Sequence, residues 1–378
     1  MTVLTRSIAA ALVAAMATLL PAAPALAGPR DQQWYLDAMK VPAAQQVSRG
    51  DGVTIGLLTN GFPRAHPDIA AATLPVKRLK GGLRPSVVDA PRDYPLDDDV
   101  ASARIGLMAA GGGEGLLGVA PGAKVQPVIC PGVADDTEVC MRWLVDEGAK
   151  VINLSQALFT ALGTDFDGIR YALAKDVVVV VALKDGAEMP ADLRTGVILV
   201  GGSNRDHKPA GDGDPDSRVT VRAPGGDPVF SSPADQIVTL DPKSPGGYGH
   251  PIILPGDDSA AALVTGVVAL VRAKNPDMTA PSAIDRLLRT ATDLGDPGKD
   301  AVYGYGEVDA EKALTTDTPP AAQNPLGDPG EPRSTWLSWW LIAIVGVVVV
   351  VLAAALLAIV MIRSRRRRSH LVAPHPTR

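Results

Sequence analysis

The chain is poor in the residue types that build metal and cofactor sites. Its 378 residues include two cysteines, Cys130 and Cys140, and five histidines. A structural zinc site needs about four such ligands close together, and the histidines do not cluster around the cysteine pair. The carboxylates form no convincing cluster for calcium. We therefore expect no metal and no cofactor.

Basic residues are also too few for a nucleic-acid partner. Lysine and arginine together number 36, against 41 aspartates and glutamates. Without Arg6 and the six arginines after Ile362, the chain holds 29 basic and 41 acidic residues. A nucleic-acid-binding domain needs a basic face. The composition thus predicts no nucleic-acid partner.

The first 27 residues have the pattern of a secretory signal peptide. Arg6 is followed by an apolar stretch over residues 8–20 and by the small-residue cleavage site Ala25-Leu26-Ala27. This stretch is shorter than the roughly 20 residues that cross a bilayer. A cleaved signal is therefore favoured over an anchor, and the following domain is predicted to be exported.

A second and longer apolar run, residues 336–362, predicts a transmembrane helix. Tryptophans stand at its first edge, and arginines follow it in the basic tail of residues 363–378. Indole rings favour the membrane interface, and basic flanks stay in the cytoplasm. The sequence thus predicts a single-pass type I protein of the plasma membrane, with its large domain outside and its C-terminus in the cytoplasm.

The exported domain, residues 28–314, alternates short apolar runs with helical patterns. Continuous apolar strands separated by helices favour a mostly parallel sheet with helices on both faces. The predicted fold class is therefore α/β. The predicted strands are 53–58, 124–129, 151–155, 177–182 and 197–201, and the predicted helices are 101–110, 135–147, 165–175, 259–274 and 280–292.

Two segments depart from this alternation. Residues 206–255 are rich in Gly, Pro and Asp, with short strand-like pieces at 219–222 and 236–240. We interpret them as a loop-rich, antiparallel elaboration of the same domain. Residues 315–335 are Pro-rich without apolar periodicity, which is typical of an extended linker. They are predicted to hold the domain off the membrane.

The even pair of cysteines in an exported domain predicts a disulfide. Cys130 and Cys140 are ten residues apart. The bond would join the end of one predicted strand to the start of the next predicted helix.

Several motifs of the exported domain match one family in order. The stretch Pro-Gly-Asp-Asp-Ser-Ala-Ala-Ala-Leu-Val-Thr-Gly at 255–266 resembles the serine motif of the subtilases, Gly-Thr-Ser-x-Ala-Ala-Pro-x-Val-Ala-Gly. Together the matches cover nearly all of residues 33–314, and they imply a subtilisin-like fold. The others are Gly-Val-Thr-Ile-Gly-Leu-Leu-Thr-Asn-Gly at 52–61, His-Pro-Asp-Ile at 66–69, Gly-Val-Ala-Pro-Gly-Ala-Lys-Val at 118–125, Val-Ile-Asn-Leu-Ser at 151–155 and Gly-Tyr-Gly-Glu-Val-Asp-Ala at 304–310.

The architecture is similar to that of the mycosins, the membrane-anchored subtilases associated with actinobacterial type VII secretion. The shared features are the opening Gln-Trp-Tyr-Leu at 33–36, little room for a long inhibitory pro-segment, the cysteine pair and the C-terminal span. The resemblance implies partners among type VII secretion membrane components. It also implies a peptide or protein ligand in the former substrate cleft, which residues 151–155 would line.

The catalytic residues of the family are missing from the matching positions. Serine proteolysis needs a nucleophile, a base, an acid that orients the base, and donors for the oxyanion. Thr59 stands at the position of the acid, Val100 at that of the base and Asp258 at that of the nucleophile, while Lys184 takes the place of the oxyanion asparagine. We therefore expect an inactive homologue with a binding or scaffold role.

Other readings of these residues remain open. Shifting the serine motif by one residue puts Ser259 at the nucleophile, which would fit an active subtilisin-like serine endopeptidase outside the plasma membrane. A Ser–Lys dyad of Ser259 with Lys184 is a second alternative. A carboxylate pair between Asp257 or Asp258 and residues 97–99 is a third, although we interpret residues 97–99 as a solvated loop.

The family's nucleophile and oxyanion positions face the same small volume, so the resemblance implies that Asp258 and Lys184 meet. A carboxylate at a helix N-terminus opposite an ammonium group can make a charge-assisted contact. We expect such an ion pair in the former active site. His66, in its His-Pro-Asp-Ile turn, is expected to support the loop rather than to catalyse.

Overall fold

The computed structural model describes residues 28–82, 84–112, 115–130, 134–154, 167–187, 189–210, 215–226, 232, 235–249, 256–328 and 330, and helical fragments between 347 and 361. The predicted signal peptide and basic tail lie outside these residues, as does most of the predicted span. Within the described part, no helix is both long enough and apolar enough to cross a bilayer.

Eight strands form one twisted sheet, in the order β3-β2-β4-β1-β5-β6-β7-β8. All neighbours pair in parallel except β2 and β3, which form an antiparallel hairpin at one edge. The strands are β1 (Thr54–Thr59), β2 (Lys77–Lys80), β3 (Ser86–Asp89), β4 (Lys124–Ile129), β5 (Val151–Asn153), β6 (Val178–Ala182), β7 (Ile198–Ser203), β8 (Val221–Pro224) and a separate antiparallel pair β9 (Thr239–Leu240) and β10 (Tyr248–Gly249).

Helices cover both faces of this sheet. Successive strand side chains point to opposite faces, and accordingly Val178 and Val180 of β6 join one hydrophobic core while Val179 and Val181 join a second. The helices are α1 (Trp34–Ala38), α2 (Val41–Val47), α3 (Pro67–Ala70), α4 (Asp99–Ala109), α5 (Ala134–Asp146), α6 (Asp167–Ala174), α7 (Ala191–Arg194), α8 (Gly256–Lys274), α9 (Ala280–Thr290) and α10 (Ala310–Thr315).

The predicted α/β class with a mostly parallel sheet is confirmed. Each of the five predicted strands and five predicted helices is present, with ends that differ by a few residues. The first core packs α4 and α8 against the sheet, and the second packs α5 and α6 on the opposite face. Helix α8 is buried along nearly its whole length, because its small and apolar residues let it lie inside the first core.

The segment 206–255 was predicted as an antiparallel elaboration, and this is only half right. Strand β8 pairs in parallel with β7 and extends the central sheet. Strands β9 and β10 are antiparallel, as expected. The reason for the difference is burial: all four residues of β8 are buried, so its segment belongs to the covered sheet rather than to a surface hairpin.

The Pro-rich segment after α10 lies against the domain over residues 316–328, which we call the C-terminal strap. The predicted linker started at residue 315, whereas the compact unit continues to Gly330. The hydrogen bonds that hold the strap join Arg286 Nε to Thr318 Oγ1 (3.1 Å), the Ala321 N–H to Ser282 Oγ (3.0 Å), Asn324 Nδ2 to the Gly196 carbonyl (2.8 Å) and the Gly196 N–H to the Leu326 carbonyl (3.1 Å).

Candidate functional site

The four positions singled out in the sequence lie at one edge of the central sheet. Thr59 is the last residue of β1, and Lys184 follows β6 by two residues. Val100 and Asp258 lie in the first turns of α4 and α8. In open parallel sheets, the carboxyl ends of the strands and the helices that follow them form the edge where ligands bind. We call this edge the former active-site edge.

Thr59 is buried, and its hydroxyl serves the local turn. The side chain is 2% exposed, and Thr59 Oγ1 donates a hydrogen bond to the Gly61 carbonyl at 2.9 Å. The hydroxyl carries no charge that could stabilise an imidazolium. Thr59 therefore closes the turn after β1 instead of orienting a base.

Val100 is also buried, as the second residue of a helix that Asp98 caps. Asp98 Oδ1 accepts the Ala101 N–H at 2.8 Å, which satisfies an unpaired donor of the first turn. Asp98 Oδ2 accepts the Asn60 N–H at 2.9 Å and so ties the end of β1 to α4. The frame of the site is thus fixed, while the valine at the position of the base cannot take a proton.

The expectation that residues 97–99 form a solvated loop is wrong for two of the three. Asp98 is buried, and the side chain of Asp99 is 9% exposed. Asp99 is held by Arg64 Nε at 2.8 Å and by Lys243 Nζ at 2.6 Å. Only Asp97 is largely exposed, although it too contacts Arg64. The cations explain the burial, since a buried carboxylate must be paired.

This pairing makes stability depend on pH. Burial alone would raise the pKa of Asp99, but hydrogen bonds from Lys243 and Arg64 outweigh it and lower the pKa below its ordinary value. A lowered folded-state pKa stabilises the protein above the unfolded pKa of about 3.9, and this stabilisation is lost as pH falls through the folded pKa.

We therefore expect Asp99→Asn to destabilise the protein at pH 7 and to have a smaller effect near pH 3. Thermal unfolding of both proteins across this range measures the difference. Asp97→Asn is the matched control, because its half-exposed carboxylate is screened by solvent. An Asp99→Asn effect that does not change with pH would contradict the role of the two cations.

Asp258 and Lys184 form the expected ion pair. Lys184 Nζ lies 2.9 Å from Asp258 Oδ2, with the aspartate side chain fully buried and the lysine side chain 39% exposed. The positive end of α8 adds to the stabilisation of the carboxylate. The prediction of this contact is confirmed, and the lysine covers the nucleophile position from the solvent side.

The Asp258 carboxylate depends on this one cation. Neither carboxylate oxygen accepts a well-aligned hydrogen bond from a described residue, so the contact with Lys184 satisfies the distance of an ion pair without the geometry of a hydrogen bond. Burial of a charge is expensive unless it is paired. Lys184 is therefore the group that makes a buried Asp258 tolerable.

Asp257 is held apart from Asp258 by backbone donors. Its two oxygens accept the N–H groups of Gly202 at 2.8 Å and Lys184 at 3.2 Å. Burial raises the pKa of Asp257, and these hydrogen bonds oppose the rise. The carboxyl thus joins the loop after β6 and the end of β7 to α8. Asp257 shares none of its hydrogen-bond partners with Asp98 or Asp99.

Ser259 lacks the exposure and the hydrogen-bonded base that a catalytic nucleophile needs. Its side chain is 2% exposed, and among the described residues its hydroxyl makes no hydrogen bond with Lys184 or with a histidine. Further along α8, a Cβ on Gly266 would lie 2.6 Å from Val119 Cβ. This close contact with the segment after α4 supports the alignment that places Asp258 at the nucleophile position.

His66 supports its loop, as predicted. Its Nδ1 accepts the Asp68 N–H at 3.1 Å, and its ring packs edge-on against Tyr248 at 5.0 Å. Asp68 Oδ2 in turn accepts the Tyr248 hydroxyl at 2.9 Å. These contacts fasten the turn before α3 to β10, and they involve neither Val100 nor Asp258.

A histidine–carboxylate pair near the former active-site edge was not predicted. His207 Nδ1 lies 2.5 Å from Glu307 Oε2, and Ser203 Oγ donates to Glu307 Oε1. His207 adopts a positive φ of 61°, while Glu307 is buried. The partners are 100 residues apart in sequence, and no motif signals the contact. Because Ser203 is fully buried, the cluster satisfies the buried glutamate rather than forming a catalytic triad.

A buried arginine was also missed. Arg104 in α4 is 1% exposed. Its Nη1 donates to Asn153 Oδ1 at 3.4 Å, and Asn153 Nδ2 donates to Thr265 Oγ1 at 3.0 Å. This polar chain links α4, β5 and α8 beneath the former active-site edge. Its signal in the sequence was an arginine inside an otherwise apolar helix.

The predicted disulfide is present between Cys130 and Cys140. It joins the residue after β4 to α5, although Cys140 lies in the middle of that helix rather than at its start. Across the described residues, no group of three or more His, Cys, Asp or Glu side chains is placed to hold a metal ion. The site therefore offers a buried acid, its lysine partner and an apolar residue where proton transfer would be needed.

Comparison with known sequences finds several peptidases. Fervidolysin of Fervidobacterium pennivorans is 29% identical over 326 residues, which cover 76% of this chain and 44% of that protein. Mycosin-5 of Mycobacterium tuberculosis is 30% identical over 235 residues, 50% of this chain and 39% of the relative. Mycosin-1 of the same organism is 27% identical, with 84% and 83% covered. The chain spans less than half the length of the first two.

Comparison with solved structures finds the same architecture. A protease from Pseudoalteromonas arctica PAMC 21717 matches with a TM-score of 0.62 at 25% identity, over 76% of this chain and 98% of the other. MycP1 from the ESX-1 type VII secretion system matches with a TM-score of 0.55 at 22% identity, over 83% and 91%. The second likeness shows the fold alone.

The sequence profile of the subtilases (peptidase S8) matches residues 50–306, which include β1, the central sheet and α8. The strand order, the helices on both faces and the placement of the four motif positions at one edge agree with that match. The chain belongs to the Subtilase family.

Proposed function

We propose that this subtilase is a mycosin-like membrane protein without peptidase activity, with a binding or scaffold role at a type VII secretion apparatus. Its domain would lie outside the plasma membrane on a single C-terminal span. The proposal combines the sequence signals at both ends of the chain with the similarity to Mycosin-1 and Mycosin-5. A peptide or protein segment would occupy the former substrate cleft.

The ion pair between Lys184 and Asp258 carries the proposal of inactivity. A carboxylate replaces the nucleophile, and a lysine at 2.9 Å neutralises it. A general base must reach the proton that it abstracts, but Val100 has no group that could do so. The Thr59 hydroxyl donates its hydrogen bond to the Gly61 carbonyl. Each part of the catalytic machinery is therefore replaced by a residue with a structural contact of its own.

A fluorophosphonate probe tests inactivity. We expect no covalent labelling of the full chain in detergent micelles, under conditions in which Subtilisin Savinase is labelled. Asp258→Ser alone should also stay unlabelled, because a new serine still lacks a base to activate it. Labelling can be followed by fluorescence in a denaturing gel and by intact mass.

Ser259→Ala distinguishes the outcomes. Labelling of the wild-type chain that Ser259→Ala abolishes would show that Ser259 is a working nucleophile, and the endopeptidase alternative would replace our proposal. Co-purification from gently solubilised membranes tests the scaffold role separately. Secretion-membrane components should accompany the protein, and its recovery alone would count against that role.

A further inference from the structure

A basic hairpin stands out in an otherwise acidic domain. Residues 77–93, which comprise β2, β3 and their flanks, contain five basic and two acidic side chains, whereas the chain outside its terminal segments has 29 basic and 41 acidic residues. Arg84 and Arg92 are exposed, and neither forms an ion pair with a described residue. The hairpin is therefore a local positive surface.

An apolar groove opens beside this hairpin. It has a volume of about 840 Å³, within the range of about 300–1,000 Å³ of ligand-binding pockets. Apolar side chains dominate its walls, with Arg64, Lys77 and Arg92 at the rim. We call it the Phe62 groove, and it is lined by residues 62–66, 69, 70, 73–77, 89, 90 and 92.

The groove and the hairpin share residues and an open sheet edge. Lys77, Asp89 and Arg92 belong to both. Strand β3 is the outermost strand and pairs only with β2 among the described residues. Its outer side therefore presents backbone N–H and C=O groups that an extended peptide can pair with.

A purely protective role does not account for this surface. Charged side chains on an edge hairpin can prevent aggregation, and that explains Lys80. It does not explain a large apolar cavity that adjoins the same edge, because exposed apolar surface next to an open strand would promote aggregation. Arg64 and Lys77 are already paired with Asp99 and Asp89, which leaves Arg84 and Arg92 for a partner.

We propose that β3 and the Phe62 groove form a docking surface for an extended acidic peptide segment of a partner protein. The peptide backbone pairs with β3, an apolar side chain enters the groove, and acidic side chains meet Arg84 and Arg92. An anionic lipid could pair with the two arginines, but it has no peptide backbone that could hydrogen-bond to β3. The surface deepens the proposed binding role, on which it rests, and neither Asp258 nor Lys184 lines it.

A peptide titration tests the surface with the full chain in detergent micelles. The probe is fluorescein-labelled Glu-Glu-Val-Leu-Val-Glu-Glu, and its binding is followed by fluorescence anisotropy. We expect Arg84→Glu/Arg92→Glu to weaken binding by about tenfold or more, because like charges then face each other. The matched control is Lys150→Glu/Lys208→Glu, two exposed lysines outside the groove, which should bind the peptide as the wild type does.

Two control peptides and one lipid complete the experiment. A peptide with Lys in place of Glu, and one with Gly in place of the apolar residues, should both bind at least about tenfold more weakly. Equal binding of the Gly peptide, no binding of the first peptide, or no effect of Arg84→Glu/Arg92→Glu would overturn the proposal. Displacement of the peptide by equimolar dihexanoyl-phosphatidylglycerol would assign the site to lipid headgroups instead.

The outcome is separable from that of the fluorophosphonate experiment. Labelling at Ser259 would remove the proposal of inactivity and leave the peptide result standing. Failure of the peptide to bind would remove the docking surface and leave the absence of labelling unchanged.

Discussion

Lys184→Met should lower the free energy of unfolding by roughly 2–3 kcal/mol. Removal of one partner from a buried pair costs about 3–5 kcal/mol, and the 39% exposure of the Lys184 side chain reduces this through solvent screening. The midpoint of thermal unfolding should fall by roughly 3–5 °C for a domain of about 300 residues. Differential scanning fluorimetry of the full chain in detergent measures the shift.

A double variant separates lost charge compensation from lost packing. Lys184→Met/Asp258→Asn removes the buried charge together with its partner, so it should be less destabilised than Lys184→Met alone. Lys208→Met is the control for loss of an exposed lysine and should leave the midpoint nearly unchanged. If Lys184→Met unfolds at the wild-type temperature, Asp258 does not depend on Lys184.

Gly266→Ala should destabilise the protein by roughly 2 kcal/mol. The new methyl group would lie 2.6 Å from Val119 Cβ and 3.3 Å from the Met108 carbonyl in α4. Overpacking of this kind costs about 1–3 kcal/mol or more, and the better helix propensity of alanine returns at most about 1 kcal/mol. The same thermal unfolding measurement detects the loss.

Gly81→Ala provides the matched control for this substitution. A Cβ on Gly81 meets no atom within 4 Å, so its effect should stay within about 0.5 kcal/mol. If Gly266→Ala is as stable as Gly81→Ala, then α4 and α8 do not pack closely at this point, and the alignment that relies on their contact loses its support.

The sequence predicted the buried framework well, since strong periodic signals come from burial. Strand β6 is an unbroken valine run, and such runs are typical of parallel strands covered on both faces. Strands β2 and β3 escaped prediction because each has four residues and too few apolar side chains to show an alternation, with three basic residues in β2 and polar ends in β3. Strand β8 was placed in the wrong kind of sheet, because pairing direction depends on tertiary contacts that a four-residue strand does not encode.

In the candidate site, too, some contacts could be predicted from the sequence and others could not. The contact of Lys184 with Asp258 was predictable because two family motifs place both positions at one spot. Lys243 and His207 lie in loops with no motif of their own, so the sequence did not predict their contacts with Asp99 and Glu307. Such pairs depend on how long loops fold back over the sheet edge, and neither propensity nor periodicity carries that information.

The C-terminal strap determines where a mechanical load enters the domain. Tension on the chain beyond Gly330 reaches the hydrogen bonds between Asn324, Leu326 and Gly196 before those to α9. Gly196 precedes β7 at the amino-end edge of the sheet, whereas Lys184 and Asp258 lie at the carboxyl-end edge. Under such tension the hydrogen bonds of the strap at the amino-end edge would break first. The contact between Lys184 and Asp258 at the opposite edge would then stay intact.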